Sequence, residues 1–147
     1  MKRSYLLVPL VALGMMLSSM STAVAGLLPT SVTIYDEGAS NFRWQYAIVL
    51  PTDSQLKSGD YFTIYDFEGY IAGTNVAPST DWAFTAAKIG PTPAKVTLQD
   101  NPGVWNLSWL YTGATINVGQ TGLGNFMANS LYQYRCLLYT SPSPRDS

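Results

Sequence analysis

Histidine is absent from all 147 residues, and cysteine occurs once, at Cys136. Without histidine, no serine–histidine or cysteine–histidine nucleophile pair can be built. Zinc sites of the usual histidine/cysteine kind are excluded from the chain ahead of Cys136 for the same reason. A phosphate-cradling loop is missing too. Gly119-x-x-Gly122-x-Gly124 has neither the P-loop lysine nor a strand-to-helix setting, so these glycines read as turns. No complete calcium loop of EF-hand or repeat type is present, and no flat repeated threonine array of the kind ice binding requires. Sustained helical periodicity is lacking after residue 25. No motif implies a cofactor.

What is there begins with an export signal. Lys2 and Arg3 form a basic start, Leu6 to Leu17 an apolar run, and Ala23-Val24-Ala25 fits the small-x-small cleavage rule. The apolar run is shorter than the ~20 residues a bilayer span needs. Residues 1–25 are therefore expected to be a secretory signal peptide, with the mature chain starting at Gly26. At the other end, the β-like composition stops near Gln133. The string Cys136-Leu137-Leu138-Tyr139-Thr140-Ser141-Pro142-Ser143-Pro144-Arg145-Asp146 resembles the conceptual translation of a transposase-end sequencing adapter. On that reading residues 136–147 are a disordered, non-native tail that packs on nothing, and the natural protein continues past Arg135.

The body, residues 26–135, contains no cysteine, so it must be held by its core and not by disulfides. Its five cations (Arg43, Lys57, Lys88, Lys95, Arg135) face eight carboxylates, a net charge of −3. That mild acidity argues against nucleic acid or an anionic membrane surface as partner. Of the segments read so far, only the signal peptide is expected to meet a membrane.

Period-two patterning dominates this body. Asn41 to Leu50 places Phe42, Trp44, Tyr46, Ile48 and Leu50 on one face, and Pro51 ends the run. Gly59 to Gly69 holds another strand, Asp60 to Phe67, with Phe62 and Ile64 facing a core. Its position suggests an antiparallel neighbour of Asn41 to Leu50, with Trp44 and Phe62 in one core. Ser31 to Tyr35, Trp82 to Lys88 (a short helix as the alternative), Lys95 to Leu98, Asn106 to Thr112, Ala114 to Val118 and Asn125 to Gln133 complete the set, separated by Gly, Pro and Asn turns such as Asp100-Asn101-Pro102-Gly103. Short strands at this spacing indicate an all-β fold, an antiparallel β-sandwich of jelly-roll type, incomplete at its C-terminus. A strand missing from such a sheet leaves an unpaired edge.

Three residues carry what functional chemistry is visible. Asp66 and Glu68, two apart on one strand, could act across a sugar ring, or supply oxygens to calcium, or simply end a strand in solvent. No catalytic residue and no metal ligand beyond these two can be named. Trp44, Trp82 and Trp109 sit on apolar strand faces, where burial explains them. Trp105, beside a Pro-Gly turn, is the tryptophan expected at the surface, where an indole face can stack on a sugar. Asn106-Leu107-Ser108 matches a glycosylation sequon but falls inside a strand.

The signal peptide, the cysteine-free body and the stretch from Leu50 to Phe67, with its Asp53-Ser54-Gln55-x-Lys57-x-Gly59-Asp60-x-Phe62-Thr63-Ile64-Tyr65-Asp66-Phe67 pattern, together resemble bacterial PEP-CTERM (exosortase-sorted) proteins. Trp82-Ala83-Phe84, Gly90-Pro91-Thr92-Pro93 and Asn106-Leu107-Ser108-Trp109-x-Tyr111-Thr112-Gly113 fit the same type. The resemblance covers most of residues 26–133. It implies an exported protein of a Gram-negative bacterium, held at the cell envelope, the cell surface or in the extracellular matrix. Its partners would be extracellular polysaccharide or envelope components. It transfers no catalytic residues. The tail that defines the family, a Pro-Glu-Pro motif with one membrane helix and a basic end, is not found in this sequence. Three readings follow from the sequence: a non-enzymatic surface or matrix protein, a carbohydrate-binding module, or a glycan-active hydrolase.

Overall fold

A computed structural model describes residues 26–52, 54–91, 100–117 and 120–133, together with the backbone of 138–140. The expected signal peptide, the expected strand at Lys95 to Leu98 and residues 141–147 lie outside these described residues.

Among the described residues every regular element is a strand: β1 (Leu28–Asp36), β2 (Phe42–Leu50), β3 (Tyr61–Phe67), β4 (Trp82–Ala87), β5 (Trp105–Tyr111), β6 (Thr121–Ser130) and β7 (Leu138–Thr140). The helix alternative for Trp82 to Lys88 therefore falls. Ala114 to Val118 contributes only one bridge, Leu56↔Ile116. Two antiparallel sheets form, in the orders β1-β2-β6 and β4-β5-β3-β7.

This order corrects the expected pairing of Asn41 to Leu50 with Asp60 to Phe67. Both edges of β2 are taken, by β1 and β6, while β3 lies between β5 and β7. A tight hairpin needs a connection of two to five residues. The longer segment from Pro51 to Asp60 instead carries the chain across to the other sheet, tethered on the way by the Leu56–Ile116 bridge. β2 and β3 thus meet face to face through the core, Trp44 edge-on to Phe67 at 6.1 Å between ring centroids.

The alternation read from β2 holds along its length: Trp44, Tyr46, Ile48 and Leu50 are buried and the residues between them half-buried. Against them pack Phe62, Ile64 and Phe67 of β3, Leu107, Trp109 and Tyr111 of β5, Trp82 of β4, and Phe126 and Ala128 of β6. Trp44 and Phe62 do share one core, as expected.

β3 departs from simple alternation. Asp66 takes a left-handed conformation (φ 51°), and the β3–β5 register shifts between Ile64 and Phe67. This bulge inserts one residue, so Phe67 joins Phe62 and Ile64 in the core although its parity is opposite. Thr63 and Tyr65, on the other face, are buried as well. Thr63 shares a 2.8 Å hydrogen bond with Ser108, and the Tyr65 hydroxyl donates to the Pro91 carbonyl.

β7 corrects a second expectation. Leu138 to Thr140 does not stand clear of the body but pairs with Tyr65, Ile64 and Thr63. The reason is main-chain chemistry: the second edge of β3 presents unpaired N–H and C=O groups that any extended segment can satisfy.

Two core polar atoms, the Tyr46 hydroxyl and Trp109 Nε1, find no hydrogen-bond partner among the described residues. An unsatisfied buried group costs ~1–3 kcal/mol. Burial also pushes the Tyr46 phenol far above its ordinary value of 10.0. The folded state keeps that proton where the unfolded chain releases it, so stability is intact below about pH 10 and declines as pH rises beyond. Tyr46→Phe is expected to add ~1 kcal/mol at neutral pH and to flatten the alkaline decline, both readable from urea melts at pH 8 and pH 11.

Candidate functional site

Trp105 opens β5 and is 36% exposed, the most accessible of the four tryptophans. It stands there because Asp100-Asn101-Pro102-Gly103 turns the chain into the strand. Val104 N–H donates to the Asn101 carbonyl (2.9 Å), and Gly103 N–H donates to the Asn101 side chain (2.9 Å). A cleft of about 270 Å³ adjoins the indole, lined by Trp105, Tyr70, Glu68, Lys88, Val104 and Leu131 with the backbone of Gly69 and Gly103.

Each wall has a local cause. Glu68 and Gly69 form the turn that ends β3. Gly69 is left-handed (φ 70°), and a β-carbon there would lie 2.7 Å from the Tyr132 ring, so glycine alone fits. The turn delivers Tyr70, whose ring sits 6.2 Å from Phe67 and 6.3 Å from Trp105. An aromatic chain of Trp44, Phe67, Tyr70 and Trp105 thus runs from core to cleft. Lys88 follows β4, one step beyond the last ladder pair, Ala87↔Asn106. Its ammonium lies 4.2 Å from the Trp105 ring centroid and donates to the Gly103 carbonyl at 2.9 Å. One indole face therefore carries a cation, worth ~0.5–1 kcal/mol at an exposed site.

The two carboxylates singled out in the sequence are separated by the bulge. Asp66 turns toward the 100–101 loop, where its Oδ1 accepts from Asn101 N–H (3.1 Å). Glu68 lines the cleft and Asp66 does not. Their expected placement on one strand face is thus overturned, because a left-handed residue breaks the period of two. Among the described residues no group of three or more His, Cys, Asp or Glu side chains is gathered that could hold a metal ion.

Asn106, read from sequence as half of a sequon, is 1% exposed and fully engaged. Its Oδ1 accepts from Asp66 N–H at 2.9 Å, and its Nδ2 donates to Asp100 Oδ1 and Oδ2 at 2.9 Å each and to the Lys88 carbonyl at 3.3 Å. The side chain pins the bulge, the turn and the end of β4 together, directly behind Trp105.

Sequence reasoning found Trp105 and Glu68 and missed Tyr70, Lys88 and Leu131. Lys88 had a usable signal: extending a hairpin register from Trp82↔Tyr111 places it opposite Trp105. The short strand expected at Lys95 to Leu98 concealed that pairing by standing between the two in order. No family model, curated protein or solved structure matches the chain.

Proposed function

We propose that this protein is an exported, non-enzymatic surface or matrix protein, exosortase-sorted in its full-length form, whose β-sandwich binds extracellular polysaccharide at the Trp105 cleft. The observation carrying the binding half is the gathering of Trp105, Tyr70, Glu68 and Lys88 around one open cleft. Aromatic rings offer apolar faces to the C–H surface of a pyranose, while a carboxylate and an ammonium bond its hydroxyls. The export and sorting half is supported by the basic-apolar-small order of residues 1–25 and by the resemblance of the body.

A hydrolytic reading is supported less well. Two carboxyl groups must face each other across a glycosidic bond, and here Asp66 is engaged with the 100–101 loop while Glu68 lines the cleft.

Glycan-array binding followed by titration calorimetry checks the proposal. Trp105→Ala is expected to weaken polysaccharide binding about 30-fold, equivalent to the ~2 kcal/mol typical of an anchoring aromatic. Stability should change little, because Trp105 lies outside the main core. Equal binding by the variant would remove the cleft from consideration. Polysaccharide cleavage lost in Glu68→Ala would favour the hydrolase instead.

A further inference from the structure

We infer that the Trp105 cleft selects acidic polysaccharide, with Lys88 as the residue that takes the carboxylate of a hexuronate unit. The inference rests on the polysaccharide reading above and adds the class of sugar.

Lys88 is held at the cleft by neutral groups alone. Its ammonium carries three donors. One goes to the Gly103 carbonyl at 2.9 Å, and the charge lies over the Trp105 ring, 4.2 Å from its centroid. Among the described residues Arg43 pairs with Glu37, and no carboxylate pairs with Lys88. The acids behind the indole are turned elsewhere: Asp66 accepts from Asn101 N–H, and Asp100 accepts from Asn106 Nδ2 and Gly90 N–H. The sheet fixes where the cation stands. Lys88 falls opposite Trp105, one step past the Ala87↔Asn106 pair, so ammonium and indole rise from the same face of adjacent strands.

A pyranose bearing a carboxylate at C5 matches that juxtaposition. Its C–H face packs on an aromatic ring, while the carboxylate at the sugar's edge meets the ammonium beside that ring. A hydrogen bond between two charged groups is about twice as strong as a neutral one. It gains further where Trp105, Tyr70, Val104 and Leu131 displace water from the cleft. A neutral sugar offers hydroxyls only and leaves the cation without a counter-charge. Glu68 lines the same cleft, so the uronate carboxylate is accepted on the Lys88 side and hydroxyls face Glu68. Nucleic acid is a different case. Its dense phosphates call for several cations, and the body holds five cations against eight carboxylates. One hexuronate unit calls for one.

Titration calorimetry tests this with polygalacturonate and polymannuronate, each beside the same polymer after its carboxyl groups are reduced to primary alcohols. The parent is expected to bind an acidic polymer about tenfold more tightly than its reduced form, the increment of a charged over a neutral acceptor. Lys88→Gln should bring that ratio close to one, and Lys88→Arg should preserve it, with thermal melts confirming that both variants fold. If the reduced polymers bind as tightly as the acidic ones and Trp105→Ala weakens both, the inference is overturned and the cleft reading stands. An acid preference that survives Lys88→Gln overturns it as well. If no polymer binds, or Trp105→Ala changes nothing, the cleft reading falls and takes the inference with it.

Discussion

Phe62→Ala is expected to cost ~3–5 kcal/mol, the range for truncating a buried aromatic. Phe62 is fully buried and lies at the meeting point of both sheets. It stacks on Trp109 at 5.2 Å and receives Phe126 at 4.8 Å and Trp82 at 5.9 Å, both in edge-on geometry. Phe126 also contacts the other two rings, Trp82 at 4.9 Å and Trp109 at 5.7 Å. Collapse into the vacated space would have to break these ring contacts, so most of the cavity should remain. A domain of this size has a total stability of ~5–15 kcal/mol, and its body contains no disulfide to limit the unfolded state. A large share of the molecules should therefore be unfolded at 37 °C. Urea titration followed by tryptophan emission gives the number, and Phe62→Leu should recover part of the loss by refilling the space. A loss below ~1 kcal/mol would mean that the sheets are not held by this ring cluster.

The same cluster shows what could be read in advance. β2 was legible because one face of an antiparallel strand is buried and the other is not, which writes a period of two into the sequence. Trp44, Trp82 and Trp109 could be assigned to the core on that ground, and Trp105 to the surface from its place after a Pro-Gly turn. Sheet order was not legible. β2 and β3 are adjacent in sequence and both apolar on one face, a pattern that serves equally for neighbours in one sheet and for partners across a core. Only the reach of the 51–60 connection and competition from β6 decide between them. The bulge was hidden for a different reason: aspartate tolerates the left-handed region, so Asp66 carries no mark that distinguishes it from an ordinary strand residue. Without the bulge, Asp66 and Glu68 look like a pair. With it, one belongs to a turn and the other to the cleft.

The second large effect concerns the residue that holds these parts in place. Asn106→Ala is expected to cost ~3 kcal/mol or more, since each buried group left unsatisfied costs ~1–3 kcal/mol. Two groups lose this partner outright, the Asp66 N–H and the Lys88 carbonyl, and the Asp100 carboxylate is left with its bond from Gly90 N–H at 3.1 Å. The site is tightly filled as well, because a β-carbon on Gly90 would come within 3.2 Å of Asn106 Cβ and 2.8 Å of the Tyr65 ring. Asn106→Asp separates chemistry from volume. It keeps the shape but puts a carboxylate where Nδ2 now faces both oxygens of Asp100. The new group gains stability from being neutral, so its folded-state pKa rises above the unfolded value. The variant should approach the parent's stability at low pH and lose it as pH climbs through and beyond the carboxylate range. The parent lacks that added slope. Because Asn106 also anchors the turn before Trp105 and the end of β4 before Lys88, both variants should weaken the proposed polysaccharide binding without touching a cleft residue. Thermal melts between pH 4 and pH 8, run beside the binding titration, separate the outcomes. A pH-independent Asn106→Asp defect would show that packing, and not the hydrogen-bond network, holds the bulge to the turn.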